Sequence, residues 1–70
     1  MNQLKENFGK RLQELRVEAD ITQEVLADEV GLTIESISNI ERGIHGPTFE
    51  NLEKIAIALN VPVKELFEFG

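Results

Sequence analysis

One unit is written twice in immediate succession, Ile21-Thr22 through Gly31 and Leu32-Thr33 through Gly43, and it constrains the fold more than anything else in the chain. Each copy opens on a threonine, whose hydroxyl accepts from the otherwise orphaned amides of a first helical turn. An aliphatic residue precedes each threonine and another follows it by four positions, Ile21 with Leu26 and Leu32 with Ile37, the spacing of a hydrophobic staple. Each copy closes on a glycine, which takes the left-handed exit from a helix without steric cost. The pattern predicts two short helices, about 23–30 and 34–42, joined by a tight turn centred on Gly31.

The flanks extend this arrangement. Leu4, Phe8, Leu12 and Leu15 recur at helical spacing and predict an amphipathic helix over about 3–19. After a loop from Gly43 to Pro47, Thr48 is a third hydroxyl cap, opening a helix over about 49–59 whose Leu52, Ile55, Ala56 and Leu59 share a face. Asn60 tolerates a left-handed exit, and Pro62 starts a last short helix over about 63–67, through Val63, Leu66 and Phe67. No stretch alternates with period two, so strands are not expected. A chain of 70 residues buries only about 60% of its unfolded surface and holds one core. The expectation is an all-α domain spanning 1–70, a compact bundle of five helices.

Composition narrows the functions such a bundle can serve. There is no cysteine and one histidine, so neither a disulfide framework nor a zinc shell is available, and no metal or cofactor is expected. The first ten residues mix Lys, Glu, Asn and Gln around Leu4 and Phe8, which is not the apolar core of a signal peptide, and no run reaches membrane-spanning length. A cytoplasmic protein without a membrane partner is expected. The acidic residues are spread along every helix, with no nucleophile and base in a recognisable pattern and no glycine-rich phosphate cradle, so catalysis is not expected. The formal charge of −6 argues against a nucleic-acid partner. A duplex, however, feels only charges within about 8 Å at physiological salt, so the distribution over one face decides the matter.

The segment TQEVLADEVGLTIESISNIERG, with the leading RLQELR and the trailing LEKIAIALNVPVKELF, resembles the helix-turn-helix of the phage Cro and lambda-repressor-like regulators, the XRE family. The resemblance covers nearly the whole chain. It implies a lambda repressor-like DNA-binding domain that sets its third helix in the major groove of double-stranded DNA and regulates transcription, as a repressor or an activator such as a restriction-modification controller protein, a phage regulator or an autoregulated antitoxin. Physical reasons for the arrangement stand beside the resemblance. Ala27 lies where the second helix crosses the third, Gly31 sets the sharp turn, and Ile37 with Ile40 pins the inner face of the third helix. The outer face then carries Thr33, Ile34, Glu35, Ser36, Ser38 and Asn39 as base-reading candidates. Asn39 suits an adenine edge, Ile34 a thymine methyl and Glu35 a cytosine amino group, while the three hydroxyls donate to bases or phosphates. No Lys or Arg stands on this face, so arginine reading of guanine is absent.

By the same resemblance, Thr22 and Gln23 open the second helix against a phosphate, aided by that helix's positive end. Arg42 is the expected cationic clamp on the backbone. The amides of Gly43 and Ile44 and the ring of His45 add contacts in the loop, and Lys10 reaches the backbone from the first helix. The resemblance also places Arg16 and Glu41 in a structural ion pair beneath the third helix. Apolar residues off the core stripes, Ile44, Ile57, Val61, Val63, Phe67 and Phe69, mark a candidate two-fold interface at the C-terminal end. Phe67 is also a core candidate, Phe69 has little of a monomer left to cover it, and Phe49 stands open between core, interface and ligand pocket. A homodimer would set two third helices about 34 Å apart and read a palindromic operator. Glu24, Asp28 and Glu29 are available to touch RNA polymerase. The competing reading is a protein-interaction module, antitoxin-like or antirepressor-like, which the acidic balance and the cation-free outer face of the third helix would suit.

Overall fold

Three threonines open three helices. Thr22, Thr33 and Thr48 accept from the backbone amides of Val25, Ser36 and Asn51 at 3.1, 3.0 and 3.1 Å. The computed structural model describes residues 3–69 and runs α1 Leu4–Glu18, α2 Gln23–Val30, α3 Ile34–Glu41, α4 Phe49–Leu59, then a 3-10 helix, α5, over Val63–Phe67. Gly31, Gly43 and Asn60 take the left-handed exits, with φ of +76°, +78° and +59°. Each lets the next amide turn back, Leu32 to the Ala27 carbonyl, Ile44 to that of Asn39 and Val61 to that of Ala56.

Three of the helices differ from the sequence reading in their bounds or type. The first helix is one residue shorter at each end than 3–19, with Gln3 and Ala19 as its flanking caps. The third stops at Glu41 rather than 42, because Arg42 already belongs to the turn that Gly43 completes. The last is a 3-10 turn rather than an α-helix, as befits five residues. An unforeseen turn follows α1, where Asp20 sits at φ +61° so that the Ile21 amide closes on the Arg16 carbonyl at 3.1 Å. Aspartate is among the few residues other than glycine that tolerate this conformation.

Every helix contributes to one core. Phe8, Leu12 and Leu15 of α1 meet Leu26, Ala27 and Val30 of α2, Ile37 and Ile40 of α3, Ile55, Ala56 and Leu59 of α4, and Leu66 of α5. The staple residues Ile21 and Leu32 pack at its edge. Leu4, by contrast, is exposed, so the apolar stripe of α1 reaches the core only from Phe8 onward. Phe67 is half exposed rather than core, its ring 5.2 Å from Phe8, and Phe69 lies edge-on to Phe67 at 6.2 Å. The chain itself therefore covers part of Phe69. No helix among the described residues is long and apolar enough to cross a membrane.

One contact sets how closely α1 can lie on α3. A Cβ built on Gly9 would stand 2.5 Å from the Ile40 carbonyl oxygen and nearer still to that of Glu41. Only a residue without a side chain permits this approach, despite its cost of about 1 kcal/mol within a helix. A lone glycine inside an amphipathic helical pattern was the sequence signal for it.

Candidate nucleic-acid interface

Helix α3 is held from beneath by one carboxylate. Arg16 Nε donates to Glu41 Oε2 at 2.6 Å and Nη2 donates to Oε1 at 3.2 Å, a forked pair, while Nη1 donates to the Ile21 carbonyl at 2.8 Å. Gln23 Nε2 donates to the same Oε1 at 2.9 Å. Glu41 thus joins the end of α1, the α1–α2 turn, the start of α2 and the end of α3. The side chains of Glu41 and Arg16 are only 3% and 11% exposed, so both charges are withdrawn from water and satisfied by each other and by neighbouring polar atoms. Such a pair contributes little net stability over an apolar substitute, but it fixes geometry, because any displacement strands a buried charge.

The opposite face of α3 is unclaimed. Thr33, Ile34 and Glu35 are exposed, and Ser36, Ser38 and Asn39 are half-buried. The Thr33 hydroxyl accepts from the Ser36 amide and donates to Ser36 Oγ at 3.1 Å, so it is fully engaged as a cap. The Ser36 hydroxyl keeps its own proton for an outside acceptor. Ile34 holds a large aliphatic side chain 51% exposed on an otherwise polar face. Arg42, Ile44 and His45 are exposed just past the end of α3, where Gly43 packs over Glu6 of α1.

The flanking positions sort less simply. Thr22 accepts from Val25 through its oxygen and keeps its hydroxyl proton. Gln23 spends one amide hydrogen on Glu41 and retains the other, so its head is oriented from behind. Lys10 is exposed and lines a recess with Asn7, Arg11, Glu14 and Phe69, beside the C-terminal tail. Arg11, which the sequence reading passed over, donates from Nε to the Glu65 carbonyl at 3.0 Å and so ties α1 to α5. The six apolar interface candidates are also not gathered into one depression. Ile57, 73% exposed, and Val61 line one recess, Phe67 lines a second with Leu4 and Phe49, and Phe69 lies in the recess of Lys10.

A short helix locked along one side, polar and free along the other, and joined through a glycine turn to a capped helix is a helix-turn-helix unit. The chain belongs to the helix-turn-helix family, whose model its residues 12–66 match, in the XRE branch. It is 40% identical over 68 residues to the control protein C.MunI of Mycoplasma sp, covering 96% of this chain and 92% of that protein. Its fold is similar to that of the restriction-modification controller protein C.AhdI of Aeromonas hydrophila, with a TM-score of 0.85 at 39% identity over 89% of this chain and 94% of that one. It is also similar to SinR, a master regulator for biofilm formation solved in complex with DNA, with a TM-score of 0.80 at 31% identity over 87% and 98% of the two chains.

Proposed function

We propose that this chain is a sequence-specific DNA-binding transcriptional regulator of the controller-protein kind, reading a palindromic operator as a homodimer with α3 in the major groove. The observation that carries the reading is the division of α3 into a locked inner side and an outer row, Ile34 to Asn39, whose polar atoms are left for an external partner. The similarity to C.MunI and C.AhdI supports a controller role, and the similarity to SinR supports a DNA partner. Asn39 would read an adenine edge, Ile34 a thymine methyl, Glu35 a cytosine amino group, and Ser36 and Ser38 nearby acceptors. Thr22, Gln23, Arg42, His45 and the amides of Gly43 and Ile44 would hold the backbone. Ile57 and Val61 are the strongest candidates for the two-fold contact, and the exposed Glu24, Asp28 and Glu29 of α2 are available to RNA polymerase. No catalytic role is assigned.

Selection of bound duplexes from a random pool, followed by fluorescence anisotropy on the winning sequence, tests this. A two-fold symmetric consensus is expected, with Asn39→Ala weakening that duplex by about 1–3 kcal/mol, mostly at one base pair. A folded protein that enriches no sequence and shows no salt-dependent binding would overturn the proposal in favour of a protein-interaction module.

A further inference from the structure

We propose that Lys5, in the first turn of α1, is a DNA-backbone contact that works beside Arg42 to hold the strand flanking the groove. The proposal rests on the DNA-binding reading above.

The chain has seven cationic side chains against a formal charge of −6, so which of them are free matters more than for a basic protein. Arg16 is committed to Glu41, Arg11 to Glu14 and the Glu65 carbonyl, and Lys54 lies 3.6 Å from Glu50. Among the described residues, Lys5, Lys10, Arg42 and Lys64 have no carboxylate partner. Lys10 lies beside Phe69 and Lys64 on α5, both with the C-terminal segment. Lys5 has a different neighbourhood. The first turn of α1 passes beneath the loop that leaves α3, so that a Cβ on Gly43 would meet the Glu6 Cα at 2.9 Å and one on Gly46 would stand 3.9 Å from Lys5 Cγ.

The Lys5 stem is therefore alongside the loop that carries Arg42 and His45, although the two segments are some forty positions apart in sequence. It also helps line an apolar recess with Leu4, Pro47, Phe49 and Phe67. A lysine in such a place lays its methylenes on the apolar wall and keeps its ammonium at the water-facing rim. Gly46 adds no side chain of its own to shield that rim. The arrangement puts an unpaired positive charge beside Gly46, in the loop that follows Arg42 and next to Glu6, which packs against Gly43.

The full-length variants Lys5→Ala, Lys5→Arg, Lys10→Ala and Lys64→Ala are titrated by fluorescence anisotropy against the duplex that the wild type selects and against a scrambled duplex, from 50 to 200 mM salt. Removing one phosphate contact lowers the slope of log affinity against log salt by about 0.9, so Lys5→Ala should lose about 3.5-fold less affinity across that range than the wild type. Both duplexes should weaken together at low salt, because a phosphate contact carries no sequence information. Lys5→Arg should restore the slope, which a merely structural role for the lysine stem would not require, and circular dichroism should show all four variants folded. An unchanged slope for Lys5→Ala, or a fall seen for Lys10→Ala or Lys64→Ala in its place, overturns the assignment while leaving DNA binding intact. Absence of salt-dependent binding by the wild type removes both readings.

Discussion

On its inner side α3 presents Ile37 and Ile40 to a shared core and Glu41 to three donors from two other segments; on its outer side it presents Ile34, Glu35, Ser38 and Asn39, none of which bonds through its side chain within the described residues. Eight residues thus hold two unlike surfaces. The inner one is over-determined, and a rigid support is what an outer surface needs if it is to meet base edges without first losing conformational entropy. The outer one is held only by its own helix and by the Thr33 cap. Its chemistry can change while the support stays the same, which is how one helix-turn-helix scaffold serves many sequences.

The sharpest way to break this contrast is Glu41→Ala, which leaves Arg16 buried without its carboxylate and Gln23 without its acceptor. A loss of about 3–5 kcal/mol is expected in urea unfolding, a large part of the stability available to a domain of this size. A loss under about 1 kcal/mol would mean that the apolar core alone positions α3. Next in size is Gly9→Ala. Helix propensity alone would make it stabilising by about 1 kcal/mol, whereas the new Cβ must push α1 away from the Ile40 and Glu41 carbonyls, an overpacking cost of about 1–3 kcal/mol. The clash should win and the thermal midpoint should fall; a rise would show that the two helices part without penalty.

The smaller effects lie on the outer side. Thr33→Ala removes the cap at the start of α3 and should cost about 1 kcal/mol, read from the same unfolding curves. Asn39→Ala, which is expected to weaken operator binding, should move stability by no more than about 0.5 kcal/mol. Should Asn39→Ala unfold the protein as readily as Thr33→Ala, the outer face would be part of the support and the division of α3 would not hold.

What the sequence makes legible follows a rule of distance along the chain. The caps at Thr22, Thr33 and Thr48 bond three residues ahead, and the exits at Gly31, Gly43 and Asn60 bond within six, so short windows of sequence contain both partners. Helical spacing likewise points to most of the core, with Leu4 and Phe67, both exposed, as exceptions. The turn at Asp20 is not legible, because aspartate is a common surface residue whose left-handed conformation has no distinctive signal. The sequence reading names Lys10 and not Lys5 as a backbone contact, although helical periodicity alone does not tell these two exposed lysines apart. Only the passage of α1 beneath the 43–47 loop separates them.

The amino-acid sequence by itself determined the number and order of the helices, the threonine caps of α2 to α4 with the left-handed exits at Gly31, Gly43 and Asn60, and the largely polar outer row of α3, since each is settled by hydrogen bonds and periodicity spanning a turn or two. The tertiary structure decided which charges are spent and which are free: Arg16 and Gln23 converge on Glu41, Arg11 on α5, and Gly9 admits the α3 backbone. The physical reason is that a charge or a glycine acquires its role from what packs against it, and those neighbours lie 18 to 54 positions away along the chain.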